Sequence, residues 1–274
     1  MNDVESVAHP AVEMAATTAI ERLDAVKEYI LHHVSNSDSW HIPFFFHVTF
    51  EIPTFSLHAL MVLIAAGLLL YLFRAIYDHN AKVPTGMTNL LETFVVFIRD
   101  DIAINFLGEE DGKRMTPLFC SFFFFILTLN LLGLVPVFAS ATANINVTAA
   151  LAAVTFFFMT FGAIVKNGPV GFIRAFVPHG VPWPMLILLV PIEIAGVFIK
   201  SMALMIRLFA NMMAGHIVIS ALIGLVVVYG TAALPALGLA GGVYVIKLFI
   251  AFLQAYIFTL LSAMFIGQIY HPVH

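Results

Sequence analysis

Three ionisable side chains, Glu193, Lys200 and Arg207, stand seven residues apart in the stretch EIAGVFIKSMALMIRLFANMMAGH, Glu193–His216, whose other residues are mostly apolar or small. On a helix of 3.6 residues per turn this spacing keeps them within roughly 40° of one another, as one charged stripe. An ionisable group at membrane depth costs about 2.5–3.5 kcal/mol even on the lenient insertion scale, so three together call for a function. Taken singly, Glu193 and Lys200 are also explained by pairing at a membrane edge. Arg207 has no such explanation, because its guanidinium cannot lose its proton. It must face water, a counter-ion or a carboxylate supplied by a partner.

The elements that position this stripe follow from composition. The chain has 274 residues, 61% of them hydrophobic and only 10% charged. Its mean hydropathy is +1.01. These values exclude an ordinary soluble domain and fit an all-α polytopic membrane protein. Eight of the 16 acids precede residue 55, seven lie between 78 and 111, and only Glu193 follows. The single cysteine, Cys120, rules out an intrachain disulfide and reads as a small packing residue.

Residues 1–54 form a polar, acidic segment without the basic, apolar and small-residue pattern of a secretory signal. Helical periodicity over Ala11–Val34 predicts a short surface helix, and the aromatic run Ile42–Phe55 an approach to the membrane. His32, His33, His41 and His47 lack metal-ligand spacing, so no metal is expected, and no cofactor motif is present. The membrane domain is expected over residues 55–274, with spans at about 55–77, 117–139 and 147–165. Thr88–Phe106 is amphipathic and predicts a helix lying on the membrane surface, with a helix in a soluble loop as the alternative. Lys166–Pro182, rich in Gly and Pro, reads as a loop.

Arg74, Lys82, Arg99, Lys113, Arg114, Lys166 and Arg174 make seven of the 12 Lys and Arg, all in connections on one side. The positive-inside rule makes that side cytoplasmic, placing the N-terminus outside and the C-terminus inside. Residues 183–229 are too long for one upright span: they would make a helix of roughly 70 Å against a core of ~30 Å. No Gly, Pro or polar cluster interrupts Val197–Met213, so two spans are not available either. One long, strongly tilted helix is expected, held down by a protein partner. A turn at Gly230–Gly238 then returns the chain into a second long helix, about 239–270.

Counted from a turn near Ala233, Arg207 lies 26 residues away and Gln254 lies 21. The offset is about 7 Å along the helices, within reach of two long side chains. His216 and Lys247, 17 and 14 residues from the same point, are also nearly level. Two polar layers are therefore expected across the hairpin, and together with the stripe they suit ion passage through offset half-channels. For Gln254, Asn211 and Ser201 taken singly, interhelical hydrogen bonding explains their presence equally.

RLFANMMAGH at Arg207–His216 and LQAYIF at Leu253–Phe258 resemble the signature of subunit a of the bacterial F-type ATP synthase. Glu193, Lys200 and SATANINVT at Ser140–Thr148 add to the likeness, which covers most of the chain from about residue 55. The resemblance implies an ion-translocating stator subunit with no catalytic site of its own. Its implied partners are a ring of c-subunits, each with a mid-membrane carboxylate, the b-subunit peripheral stalk, the remainder of the complex and the bilayer, with no nucleic acid. Carried over, Arg207 is the essential arginine, Gln254 its companion, Glu193 a lining of the cytoplasmic exit and His216 of the outer entrance, with Lys247, Lys200 and Asn211 along the path. Two positions depart from the family pattern. The outer layer pairs His216 with Lys247 where an acid is usual, and Gly133 stands where an acid often follows the LNLL run.

A secondary transporter with a substrate site at Glu193, Lys200 and Arg207 is the alternative. It is disfavoured by the lack of an internal repeat or paired broken helices. A non-conducting scaffold is the third reading. No nucleotide-phosphate loop is present, so ATP chemistry would belong to other subunits.

Overall fold

The computed structural model describes residues 39–41, 49–51, 57–76, 86–135, 138, 140–177 and 183–271, and residues 21 and 24 singly as helical. The rest of the expected Ala11–Val34 helix, most of the aromatic run Ile42–Phe55, and His32, His33 and His47 lie outside the described residues.

The described residues are overwhelmingly helical, as their apolar composition requires: in hydrocarbon only a helix or a closed barrel satisfies every backbone polar group. The exception is a short antiparallel ribbon, β1 (Ser39–His41) on β2 (Thr49–Glu51), with Trp40 opposite Phe50. The first long helix, α1 (Leu57–Tyr71), winds on into a wider π turn, Leu72–Ile76. Next, α2 (Met87–Phe97) passes through a π segment, Ile98–Ile104, directly into α3 (Asn105–Leu134). Gly108 breaks α3 with φ of 78° and ψ of 176°, a region open essentially to glycine alone and costing an L side chain about 1–3 kcal/mol. The turn is this one residue, and the chain is helical again at once.

After the 3₁₀ turn Ala141–Ala143 come α4 (Ile145–Phe157), a π segment, Phe158–Gly162, and α5 (Ala163–Arg174). Here the structure departs from the expected loop at Lys166–Pro182, since the chain stays helical to Arg174. Gly168, at φ 73°, turns the chain, and Pro169 directly after it falls where a missing N–H does no harm. The hairpin is α6 (Trp183–Tyr229), 47 residues without a break, a 3₁₀ turn, Gly230–Ala233, and α7 (Leu234–Tyr270). The turn is shorter than the expected Gly230–Gly238, because Pro235 sits in the first turn of α7, where proline is tolerated.

Among the described residues, five helices are long and apolar enough to cross a membrane. The core lies where α3 packs on α7, α7 on α6, and α6 on α4. Phenylalanines dominate it: Phe123 and Phe94 each meet Phe252 at 5.6 Å between ring centres. The apolar face of the amphipathic segment is spent on this core, where Leu91, Ile98 and Ile102 are buried beside Phe119, Phe123 and Phe258. By contrast, Ile187, Leu188, Phe198, Val245 and Phe249 on the hairpin are exposed. A helix of 47 residues, roughly 70 Å, is more than twice the hydrocarbon thickness.

Candidate functional site

The inward face of α7 repeats at helical spacing: Lys247, Ala251, Gln254, Phe258 and Ser262 are all buried. Lys247 and Gln254 are thereby drawn inside by the same apolar stripe that packs the helix. They are only 6% and 5% exposed. Neither Lys247 Nζ nor Gln254 Nε2 makes a hydrogen bond among the described residues. A buried polar atom left unbonded costs about 1–3 kcal/mol, so a pair of them on one face of one helix is not a packing convenience.

Lys247 lies against α6 at Gly215, where a β-carbon would stand 2.9 Å from Lys247 Cδ and 3.0 Å from Nζ. The glycine supplies the groove that receives the lysine stem. His216, half-buried, is the next residue, so the hairpin does bring the His216 region level with Lys247.

The other expected layer is different. Arg207 is exposed, while Gln254 faces inward, and no bond joins them. The cause is azimuth rather than register. On α6, Ser201, Leu204, Met205, Leu208 and Met212 are buried, whereas Ala203, Ile206, Arg207, Ala210 and Ala214 are exposed at the complementary helical spacing. Arg207 thus stands on the outward face of the hairpin, and among the described residues it has no hydrogen bond or ion pair. Glu193 is also exposed, and Asn211 is half-buried. Lys200 turns to α7: its Nζ donates to Gln268 Oε1 at 2.9 Å and sits 5.5 Å above the Phe265 ring.

Sequence reasoning missed a third polar group beside the hairpin. Asn130 on α3 donates from Nδ2 to the Ala251 carbonyl at 3.4 Å and accepts from Thr142 Oγ1 at 2.9 Å. Ser140 is buried nearby, with its hydroxyl unbonded among the described residues. The polar connection from Ser140 was the available signal, since it follows the span that carries Asn130. Gly133 is also explained here. A β-carbon at that position would come within 2.7 Å of both Met212 Cε and Ser140 Oγ, so a larger residue there would have to displace those side-chain ends. Among the described residues no cluster of His, Cys, Asp or Glu could hold a metal ion.

Fold and site together define a polytopic helical membrane protein organised around a long hairpin. One arm carries a permanent charge outward and the other carries shielded polar groups inward. The family model described as ATP synthase A chain matches residues 59–267. ATP synthase subunit a of Anaeromyxobacter sp. (strain Fw109-5) is 44% identical over 217 residues, covering 77% of this chain and 53% of that protein. The chain therefore spans about half the length of that relative. The subunit a of Chloroherpeton thalassium is 42% identical over 258 residues, covering 90% of this chain and 77% of its own. For ATP synthase subunit a 2 of Chlorobium luteolum the identity is 38% over 280 residues, with 96% and 82% covered. This chain belongs to the ATP synthase A chain family, as the motifs at Arg207–His216 and Leu253–Phe258 implied.

Proposed function

We propose that this chain is the ion-translocating stator subunit of a membrane-embedded rotary ATP synthase. It offers two offset proton half-channels to a ring of carboxylate-bearing c-subunits and couples proton flow to rotation and ATP synthesis. The observation that carries this reading is Arg207: a charge that cannot be discharged, on the exposed face of an apolar helix. A carboxylate arriving from a neighbouring ring is the counter-ion such a group needs. While ionised, the carboxylate is held at Arg207. Once protonated, it is released into lipid, and the arginine bars direct passage between the half-channels.

In this reading Lys247, His216 and Asn211 lie along the outer half-path, and Gln254 is the companion of Arg207. Glu193 and Lys200 line the half-path at the other end. ATP chemistry belongs to the other subunits, and the peripheral stalk b-subunit anchors this one. The positive-inside rule puts the Lys166 end in the cytoplasm of a bacterial cell and the N-terminus outside.

The test is ATP-driven acidification of inverted membrane vesicles, followed with a pH-sensitive dye, for wild type and Arg207→Ala, with and without Na⁺. Robust acidification that needs no Na⁺ and vanishes in the variant is expected. Acidification undiminished in Arg207→Ala would overturn the assignment and return the stripe to a transporter or a scaffold.

A further inference from the structure

At the opposite end of α7 from the hairpin turn, three elements distant in sequence meet in one cluster. Asp111, three residues after the Gly108 turn of α3, is ion-paired with Lys166 of α5. His271, directly after α7, places Nε2 at 2.9 Å from the same Asp111 oxygen and at 2.9 Å from Lys166 Nζ. The next residue of α5, Asn167, donates from Nδ2 to the carbonyls of Ile269 at 3.2 Å and Tyr270 at 3.3 Å. Those carbonyls belong to the last turn of α7, where no N–H from a following turn can reach them. Tyr270 is buried, with Lys166 Nζ 5.2 Å above its ring and its hydroxyl against Gly162. A side chain at position 162 would collide with that hydroxyl.

We infer that Asp111, Lys166 and Asn167 form a clamp on the last turn of α7, and that the clamp positions Gln268 to hold Lys200. The inference rests on the proposed function, since Lys200 matters to transport only if the stripe on α6 is an ion path. A helix frays from its end, and its final turn is the one without intrahelical partners for its carbonyls. Gln268 lies in that turn, three residues before His271 and one before Ile269. Its carboxamide oxygen is the acceptor for Lys200 Nζ. Loss of the clamp frees the turn that carries Gln268, and Lys200 then loses the partner that fixes its place along the stripe between Glu193 and Arg207. Asp111, Lys166 and Asn167 are positioning residues in this scheme. They touch neither the ion nor the ring.

The assembled complex in its membrane is the system for the test, with Asp111→Asn, Lys166→Met, Asn167→Ala and the charge swap Asp111→Lys with Lys166→Asp. Passive proton conductance is read on membranes stripped of the soluble ATPase sector, beside the amount of this chain in the purified complex. Each single variant is expected to assemble and to lower conductance roughly two- to tenfold, and the swap to recover most of it. In a Lys200→Met background, Lys166→Met should cause no further loss, a non-additivity that general destabilisation would not produce. Hydrogen exchange of the amides around Gln268 should quicken in every single variant. If Lys166→Met fails to assemble, Asn167→Ala decides the matter, because it removes only the two bonds to the Ile269 and Tyr270 carbonyls.

Unchanged conductance and exchange in an assembled Asn167→Ala complex would overturn the clamp. So would losses that add to that of Lys200→Met. Arg207→Ala is measured alongside for ATP-driven pumping. If that control still pumps, the stator reading fails, and the exchange result then judges the clamp by itself.

Discussion

Gly267 and Gly241 lie on the same helix, and the same substitution at each should have opposite effects. At Gly267 an added methyl overlaps the main-chain carbonyl oxygen of Phe106 and stands 3.1 Å from the carbonyl carbon. That wall is backbone, so no rotamer change can relieve it. The α7 helix must move away from the start of α3, disturbing the core to which the buried Ile266 and Ile269 belong. Overpacking of this kind costs about 1–3 kcal/mol. At Gly241 nothing lies within 4 Å of an added methyl, so only the helix-propensity gain of about 1 kcal/mol remains. Because both sites share that gain, it cancels in the difference. Gly267→Ala should therefore be less stable than Gly241→Ala by about 1–3 kcal/mol. At roughly 2–4 °C per kcal/mol for a chain of this order of size, the melting midpoints should differ by several degrees. The assay is the fraction of chain remaining monodisperse in detergent after heating, measured by size-exclusion chromatography across a temperature series. Equal midpoints, or a higher one for Gly267→Ala, would refute the close contact between the two helices.

Two further outcomes follow from single groups. Thr142→Val keeps the shape but leaves the Asn130 carboxamide oxygen without its donor in a site where Asn130 is 2% exposed, so a loss of about 1–3 kcal/mol is expected in the same heating assay. Gly108→Ala forces a β-carbon into φ of 78° and ψ of 176° and should lower stability by about 1–3 kcal/mol, although the space around that position is open. A Gly108→Ala midpoint equal to wild type would show that the turn can reorganise.

The long arm of the hairpin is legible in the sequence because it is defined by an absence: no Gly, Pro or polar cluster interrupts Val197–Met213, and the helix runs through. Level along the hairpin is legible too, since counting from the turn brings Lys247 beside Gly215. Azimuth is not. Counting residues from a turn fixes height but leaves open which way each helix is rotated, and the packing of Leu204 and Leu208 turns Arg207 outward while that of Ala251 and Phe258 turns Gln254 inward. Asn130 was hidden for another reason. One amide in a phenylalanine-rich span carries no periodic signal, and its partners on Thr142 and Ala251 are set by tertiary structure. Gly168 and Pro169 misled in the opposite sense, as a turn of one residue between helical pieces looks like a loop when only composition is read.

The cluster of Asp111, Lys166 and His271 also has a consequence in time. Lys166 and His271 are separated by 105 residues, and a chain growing at about 5–20 residues per second takes roughly 5–20 s to add them. Throughout that interval Asp111 and Lys166, themselves only 55 residues apart, can already be paired. The slot over Gly162 stays open until Tyr270 has been made. The earlier helices are thus assembled around a vacant socket, and the newest turn of the chain closes it. A chain truncated just before Tyr270 would keep, among the described residues, the helices long enough to cross a membrane and would lack the contact that fills the slot over Gly162.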